Sequence, residues 1–142
     1  MKKSMKCLSL VLALVTIILA MSVTTSAANH EPEITPLWDN TAIIICNVLF
    51  PDNNHGYAEA NIMGHVTATH IEADVYVYRQ EGSRWVYVTE KHAEIDDCTL
   101  TISCEFVPTN GTYYRADYTF TVTKNGVDET ITKTKYKTFT EQ

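Results

Sequence analysis

The chain has 142 residues, of which 45% are hydrophobic and 20% charged, and its formal net charge is −6 at pH 7. This length fits one domain that can bury a hydrophobic core of its own. An acidic chain is repelled by phosphate backbones and anionic lipids, which argues against nucleic acid and anionic membranes as partners.

Residues 1–28 have the pattern of an export signal. Three lysines precede an apolar run from about Leu8 to Met21, and small residues follow at positions 25–28. The run is shorter than the roughly 20 residues that a membrane helix needs. We therefore expect cleavage after Ala27 or Ala28 and a secreted, extracellular bacterial protein without a membrane anchor. Loss of the three lysines changes the formal net charge to −9.

Residues 29–40 are polar and contain Pro32 and Pro36, which predicts an extended N-terminal arm. Residues 41–142 are expected to form a single β-domain, because seven segments alternate apolar and polar side chains or are rich in β-branched and aromatic residues. These segments are Ala42–Phe50, Gly56–Gly64, His70–Gln80, Trp85–Lys91, Cys98–Phe106, Tyr114–Val122 and a last one from Val127 towards Thr138. Seven short strands favour an antiparallel β-sandwich over a closed barrel.

The alternation also separates core positions from surface positions. Every second residue from Ile71 to Val77, from Cys98 to Phe106 and from Tyr114 to Val122 is expected to face inward. Trp85 is interpreted as the buried tryptophan of a sandwich rather than as a ligand contact. The last strand alternates Thr with Lys after Ile131, which suits an edge strand.

The tyrosines suggest a binding surface. Tyr76 and Tyr78 fall on the face opposite the core set, and Tyr87 on the partner strand joins them in an exposed platform. Such platforms serve sugar-binding and protein-binding surfaces. The alternative is a set of cross-strand pairs that only stabilises the sheet. Tyr76, Tyr78 and Tyr87 are the predicted ligand-binding residues.

Three cysteines remain after signal cleavage: Cys46, Cys98 and Cys104. Cys98 and Cys104 are six residues apart on one strand, about 20 Å along an extended chain, and cannot reach each other. If a disulfide forms, we expect Cys46 to pair with Cys104, and Cys46 with Cys98 is the alternative. Three free thiols are also possible.

The segment Gly111–Ala116 resembles the start of strand F in immunoglobulin-like domains. In those domains a corner tyrosine precedes an inward-facing core residue by two positions. The resemblance implies that Tyr114 is the corner tyrosine, and that Ala116 takes the place of the second cysteine of true immunoglobulin domains. It therefore implies an immunoglobulin-like antiparallel β-sandwich without the standard bridge between the sheets.

The wider pattern is similar to that of a family of short secreted proteins of Gram-positive anaerobes whose function is unassigned. The matching features are Trp38-Asp39-Asn40, a glycine-containing turn before Trp85, Gly111 followed by Tyr114-Arg115, and Gly126 followed by Glu129. This resemblance covers nearly the whole chain after the signal. It implies the fold and no activity.

Nothing in the sequence carries the pattern of an active site. A nucleophile elbow of the Gly-x-Ser-x-Gly type is absent from the sequence. His65 and His70 lack the spacing of a metal motif, and Asp96-Asp97 lacks the ligand pattern of a calcium loop. We expect a non-enzymatic protein without a cofactor or a bound metal. The predicted function is a secreted interaction module for an extracellular protein or cell surface, and the alternative is a small carbohydrate-binding domain.

Overall fold

The computed structural model describes residues 38–141. The predicted signal and residues 29–37 of the predicted arm lie outside this range. The described residues form seven strands: β1 (Thr41–Leu49), β2 (Gly56–Gly64), β3 (Ala68–Glu81), β4 (Arg84–Ile95), β5 (Thr99–Phe106), β6 (Tyr113–Lys124) and β7 (Val127–Thr138). Over this range there is no helix with the length and apolar character needed to cross a membrane.

The strands form two antiparallel sheets. One has three strands in the order β1-β2-β5, and the other has four in the order β4-β3-β6-β7. The chain changes sheet after β2, β4 and β5, so that β2 pairs with β5 and β3 pairs with β6. This arrangement confirms the predicted immunoglobulin-like antiparallel β-sandwich of seven strands.

The core lies between the sheets. It includes inward-facing residues that the alternation assigned on β3, β5 and β6, and also residues that it did not assign, among them Cys46, Val48 and Phe139. The inward-facing side chains of β3 and β6 are almost fully buried: Ile71, Ala73, Val75, Val77, Tyr114, Ala116, Tyr118, Phe120 and Val122. The Tyr118 hydroxyl donates a hydrogen bond of 2.8 Å to the carbonyl of Asn47 on the opposite sheet. Small residues on β2 let the sheets approach closely. A Cβ added at Gly64 would lie 3.2 Å from the Val122 side chain on β6, which belongs to the opposite sheet.

Tyr114 occupies the corner position that the resemblance implied. Its ring is 1% exposed, and its hydroxyl accepts a hydrogen bond of 2.9 Å from the backbone N–H of Thr109. The bond fixes the connection between β5 and β6. The Asn125-Gly126 turn between β6 and β7 is also of the expected kind, with φ angles of 55° and 74°. Positive φ at both central residues is the requirement of a type I′ hairpin.

The predicted disulfide between Cys46 and Cys104 does not form, and all three cysteines of the described residues are free. Cys46 on β1 is paired in register with Ala60, and Cys104 on β5 is paired with Ala58, so β2 lies between the two cysteines. Two strand spacings amount to about 9–10 Å, which exceeds the roughly 7 Å that a disulfide spans between Cα atoms. Burial raises the pKa of Cys46 to about 11, which keeps this thiol protonated.

The edge strand β7 carries lysines on the side that faces the other sheet. Lys133, Lys135 and Lys137 are opposite the inward-facing residues of β6 in the register. The Lys133 ammonium lies 4.9 Å from the centroid of the Trp38 ring, and the Lys137 ammonium lies 5.6 Å from that of Phe50. Inward-pointing charges on an edge strand oppose pairing with another chain. The predicted lysine-protected edge strand is confirmed.

The segment that enters β1 is attached to the β6–β7 hairpin. The buried Asn40 side chain donates hydrogen bonds to the carbonyls of Val122 and Val127, at 2.9 and 2.8 Å. The Glu129 carboxylate accepts bonds from the backbone N–H groups of Asp39 and Asn40, at 2.7 and 3.2 Å. Two of the features that carry the family resemblance, Trp38-Asp39-Asn40 and Glu129, are therefore in contact with each other.

Candidate functional site

The outer face of the four-stranded sheet carries a cluster of aromatic side chains around one arginine. We call this set the aromatic face. It begins with one row across all four strands, because Tyr78 on β3 pairs in register with Tyr87 on β4 and with Arg115 on β6, and Arg115 pairs with Tyr136 on β7. Trp85 and Tyr113 complete the aromatic face beside this row.

A β-bulge on β4 brings two of these residues outward. Val77 pairs with Thr89 and Tyr78 pairs with Tyr87, so Val88 is an extra residue on β4. The extra residue shifts the alternation of β4, so that the residues before Val88 follow the opposite parity from those after it. Trp85 and Tyr87 therefore both lie on the outer face. Val88 faces the other way and packs against the core.

The prediction that Trp85 lies in the core is wrong. Trp85 is half-buried on the outer face, where its ring centroid lies 5.8 Å from that of Tyr113 and 5.9 Å from that of Tyr136. Residues two apart on a strand share a face. An outward Tyr87 therefore required an outward Trp85, and the two predictions were incompatible.

Arg115 holds the cluster together. The centre of its guanidinium lies 4.5 Å from the Tyr78 ring centroid and 5.0 Å from the Trp85 ring centroid. Its terminal nitrogen also forms an ion pair of 3.1 Å with Asp117 on the same strand. Cation–π contacts of this kind are worth about 0.5–1 kcal/mol each at partly exposed sites. The guanidinium is therefore fixed between two rings of the aromatic face.

The three predicted ligand-binding tyrosines occupy different environments. Tyr78 and Tyr87 form an edge-to-face pair with centroids 6.2 Å apart. Tyr78 is half-buried and has Arg115 against its ring, whereas Tyr87 is 53% exposed. Tyr76 lies one row further along β3, where the charge of Asp74 and then that of Glu90 raise its pKa. Among the described residues 38–141, the ring contact within this trio is the one between Tyr78 and Tyr87, and Tyr76 lies beside that pair.

Sequence reasoning missed Tyr113, Trp85, Tyr136 and Arg115 as parts of this face. Tyr113 and Tyr136 stack at 19° between ring planes with centroids 5.8 Å apart, and they are 37% and 53% exposed. The signal for Tyr113 was present, because an inward Tyr114 places its neighbour outward. The position of Tyr136 depends on the pairing of β6 with β7.

A second cluster lies on the same outer face, further along β3 and β4. It contains Glu72, Asp74 and His92, and within the described residues it is the group whose ligand atoms are close enough to hold a metal ion. One ligand atom from each residue lies within 4.8 Å of the others. We call these residues, together with Glu94, the histidine–carboxylate cluster.

A depression of about 410 Å³ lies away from both clusters. It is lined by Leu49, Phe50, Pro51, Tyr57, Glu59 and Lys137. It has no side chain in common with the aromatic face or with the histidine–carboxylate cluster. Glu59 and Lys137 are its charged lining residues, and the others are apolar or aromatic.

The chain matches no protein-family model and no curated protein. Among solved structures it is similar to Spo0M, a sporulation control protein from Bacillus subtilis, with a TM-score of 0.42 and 9% sequence identity. The alignment covers 74% of this chain and 51% of that one, so this chain spans about half the length of Spo0M. A likeness this distant carries no functional argument.

Proposed function

We propose that this protein is a secreted, non-enzymatic interaction module that binds an extracellular protein through the aromatic face. The supporting observation is the contact of Trp85, Tyr113 and Tyr136 beside Arg115 on the outer surface of a sheet. Trp, Tyr and Arg are the residues that contribute most to protein interfaces, and they do so from well-packed clusters. Strands also hold the side chains more rigidly than loops do.

The geometry of the rings favours a protein partner over a sugar. A sugar ring stacks on a free, flat aromatic surface, but Tyr78 and Tyr87 are inclined at 77° and Trp85 is inclined at 43° to Tyr113. Arg115 also covers one ring surface of Tyr78. A surface of differently inclined rings with one fixed cation suits the uneven contact area of a protein.

Carbohydrate binding is the second candidate function, and one observation favours it. Tyr113 and Tyr136 are close to parallel, at 19°, and both are exposed. Their rings are more nearly parallel than those of Tyr78 and Tyr87, which are inclined at 77°. A glycan partner would therefore contact the β6–β7 side of the aromatic face.

Secretion is supported by residues 1–28, with their lysines, apolar run and small residues. The resemblance to short secreted proteins of Gram-positive anaerobes supports the same proposal. Expression in a Gram-positive host, followed by mass spectrometry of the protein from the medium, tests it. We expect an N-terminus directly after Ala27 or Ala28. Retention of the uncleaved chain in the cells would contradict secretion.

The binding proposal is tested by a screen of the purified protein against one array of extracellular proteins and one array of glycans. The test variant combines Tyr87→Ser with Tyr136→Ser, and the matched control combines Ile43→Ser with Ile45→Ser on the outer face of the other sheet. All four side chains are about half exposed, so both variants are expected to keep the wild-type melting temperature within a few degrees.

We expect the wild-type protein to bind a protein on the first array. The Tyr87/Tyr136 variant should bind this partner at least about tenfold more weakly, which is about 1.4 kcal/mol, and the Ile43/Ile45 control should bind normally. Binding to glycans alone would favour the second candidate function. Equal binding by the wild type and the Tyr87/Tyr136 variant would exclude the aromatic face as the site.

A further inference from the structure

The histidine–carboxylate cluster is built on two paired strands. Asp74 on β3 is opposite His92 on β4, and Glu72 is opposite Glu94 in the same register. Positions 72 and 74 are two apart and therefore share the outer face. The His92 Nδ1 atom lies 2.9 Å from an Asp74 oxygen and 4.0 Å from a Glu72 oxygen. The four side chains thus form one contiguous patch on the outer surface of the sheet.

This patch has more negative than positive charge. Within residues 38–141, the ion pairs of Glu72, Asp74 and Glu94 are all made with His92. On the other side of β3, Thr121 and Thr119 of β6 are the register partners of Glu72 and Asp74, and they contribute no charge. Three carboxylates therefore surround one imidazole. Like charges at neighbouring cross-strand positions destabilise a sheet, and a bound divalent cation would remove that repulsion.

The second nitrogen of His92 also has a carboxylate nearby. Its Nε2 atom lies 4.0 Å from an oxygen of Glu94, on the opposite side of the ring from Asp74 and Glu72. Histidines that bind a metal through one nitrogen commonly direct the other towards a carboxylate, which sets the ring orientation. At 4.0 Å, Glu94 is beyond hydrogen-bond distance of the ring, so it could take this role only after its side chain moves closer.

We propose that Glu72, Asp74 and His92 bind a divalent transition-metal ion of the zinc type. An imidazole nitrogen with two carboxylate oxygens is a ligand set that Zn²⁺ accepts, whereas Ca²⁺ and Mg²⁺ prefer oxygen ligands alone. The three ligand atoms require only small side-chain rotations to surround one ion, because they already lie within 4.8 Å of one another. The side chains of His92 and Glu72 are 51% and 43% exposed, so further coordination positions face solvent.

This proposal does not depend on the proposed binding function. The three ligands belong to different rows of the sheet from Tyr78, Tyr87 and Arg115. Sequence analysis predicted no metal because it considered ligands that are close in the chain, whereas His92 is 18 residues from Asp74 and reaches it only through the β3–β4 pairing.

The test is a calorimetric titration of untagged protein with Zn²⁺, together with Co²⁺ absorption spectra of the same samples. His92→Ala and Asp74→Asn are the test variants. His55→Ala is the matched control, because His55 is also an exposed histidine that contacts two carboxylates, Asp52 and Glu105. Imidazole ¹H–¹⁵N spectra recorded during the titration identify which histidine binds the ion.

We expect one Zn²⁺ per chain, Co²⁺ bands in the visible range, and a shift of the His92 ring resonances. His92→Ala and Asp74→Asn should each weaken binding by about tenfold or more, and His55→Ala should leave it unchanged. The proposal is overturned if the wild type binds no Zn²⁺ at about 1 mM. It is also overturned if the test variants bind as the wild type does, or if alkylation of the cysteines abolishes binding.

Discussion

The outer faces of the two sheets differ in how their side chains find partners. On the three-stranded sheet, β2 and β5 are joined by polar pairs: Thr101 with Asn61, Ser103 with Glu59, and Tyr57 with Glu105. The four-stranded sheet has such polar pairs too, for example Thr134 with Asp117, but one part of its outer face carries large rings in contact with one another and with Arg115.

This difference indicates which face is free to bind. Polar cross-strand pairs satisfy each other and gain little from a partner. Aromatic rings that are only partly covered keep apolar area exposed, and a partner can bury that area. The three-stranded sheet also exposes Ile43, Ile45 and Met63, but these side chains lack the Trp, Tyr and Arg character of strong interface residues.

The largest difference in stability between the two faces should come from Arg115. Arg115→Ala removes two cation–π contacts and the ion pair with Asp117, so the free energy of unfolding should fall by about 1–2 kcal/mol. Asn61→Ala removes one exposed hydrogen bond to Thr101 on the other face and should cost about 0.5 kcal/mol. Urea denaturation of both variants measures the difference. Equal midpoint shifts would show that Arg115 does not organise the aromatic face.

The next largest effect distinguishes the two faces of β6. Tyr114→Phe should lower the free energy of unfolding by about 1 kcal/mol, because the N–H of Thr109 loses its acceptor. Tyr113→Phe changes an exposed residue and should have little effect. Denaturant midpoints of the two single variants test this prediction. A wild-type midpoint for Tyr114→Phe would mean that the corner bond contributes nothing.

A smaller effect depends on pH and concerns Glu129 on β7, which binds the segment that enters β1. Burial alone raises the pKa of Glu129, but hydrogen bonds, among them those from the backbone of Asp39 and Asn40, outweigh burial and lower it. A carboxyl with a lowered pKa in the folded state stabilises the protein above its ordinary value of 4.5. That stabilisation is lost as the pH falls through the lower, folded-state pKa.

Glu129→Gln should therefore be less stable than the wild type at pH 7, and the difference should shrink below about pH 4.5. Glu141→Gln, at an exposed position near the end of the chain, is the control and should show no such change. Melting curves between pH 3 and pH 7 provide the measurement. A difference that is constant over this range would contradict the role of the Glu129 carboxylate.

The smallest effect concerns the interior between the sheets, where the thiols are free. A reducing agent should leave the melting temperature unchanged, because Cys46, Cys98 and Cys104 form no disulfide. The sheets are then held together by side-chain packing and by hydrogen bonds such as that from Tyr118 to Asn47, without a covalent bridge. A clear fall in melting temperature on reduction would show that a bridge forms in the protein after all.

Local alternation predicted the fold because it records which side chains face the core. The inward-facing residues of β3, β5 and β6 followed directly from it, and a known turn pattern identified Tyr114. The aromatic face was only partly predictable. Tyr78 and Tyr87 followed from alternation and hairpin pairing, and the same alternation places Trp85 outward with Tyr87. The bulge at Val88, which sets this half of β4 apart from the rest, was not predictable.

Features that depend on sheet order could not be predicted from local sequence. The separation of Cys46 from Cys104 results from the insertion of β2 between their strands. The stacking of Tyr136 on Tyr113 needs the β6–β7 register, and the approach of Glu129 to Asp39 joins segments 90 residues apart. Alternation indicates which face of the sheet each residue lies on, but it does not indicate which strand lies next to that residue.

The most direct test of the aromatic face is hydroxyl-radical footprinting of the protein with and without its bound partner. Tyr87, Tyr113 and Tyr136 lie on the aromatic face, and Met63 and Ile45 lie on the outer face of the other sheet, so one experiment reports on both surfaces. Complex formation should reduce oxidation of the three tyrosines and leave Met63 and Ile45 unchanged. Protection of Met63 and Ile45, with the three tyrosines still oxidised at their free rate, would contradict the assignment of the binding surface.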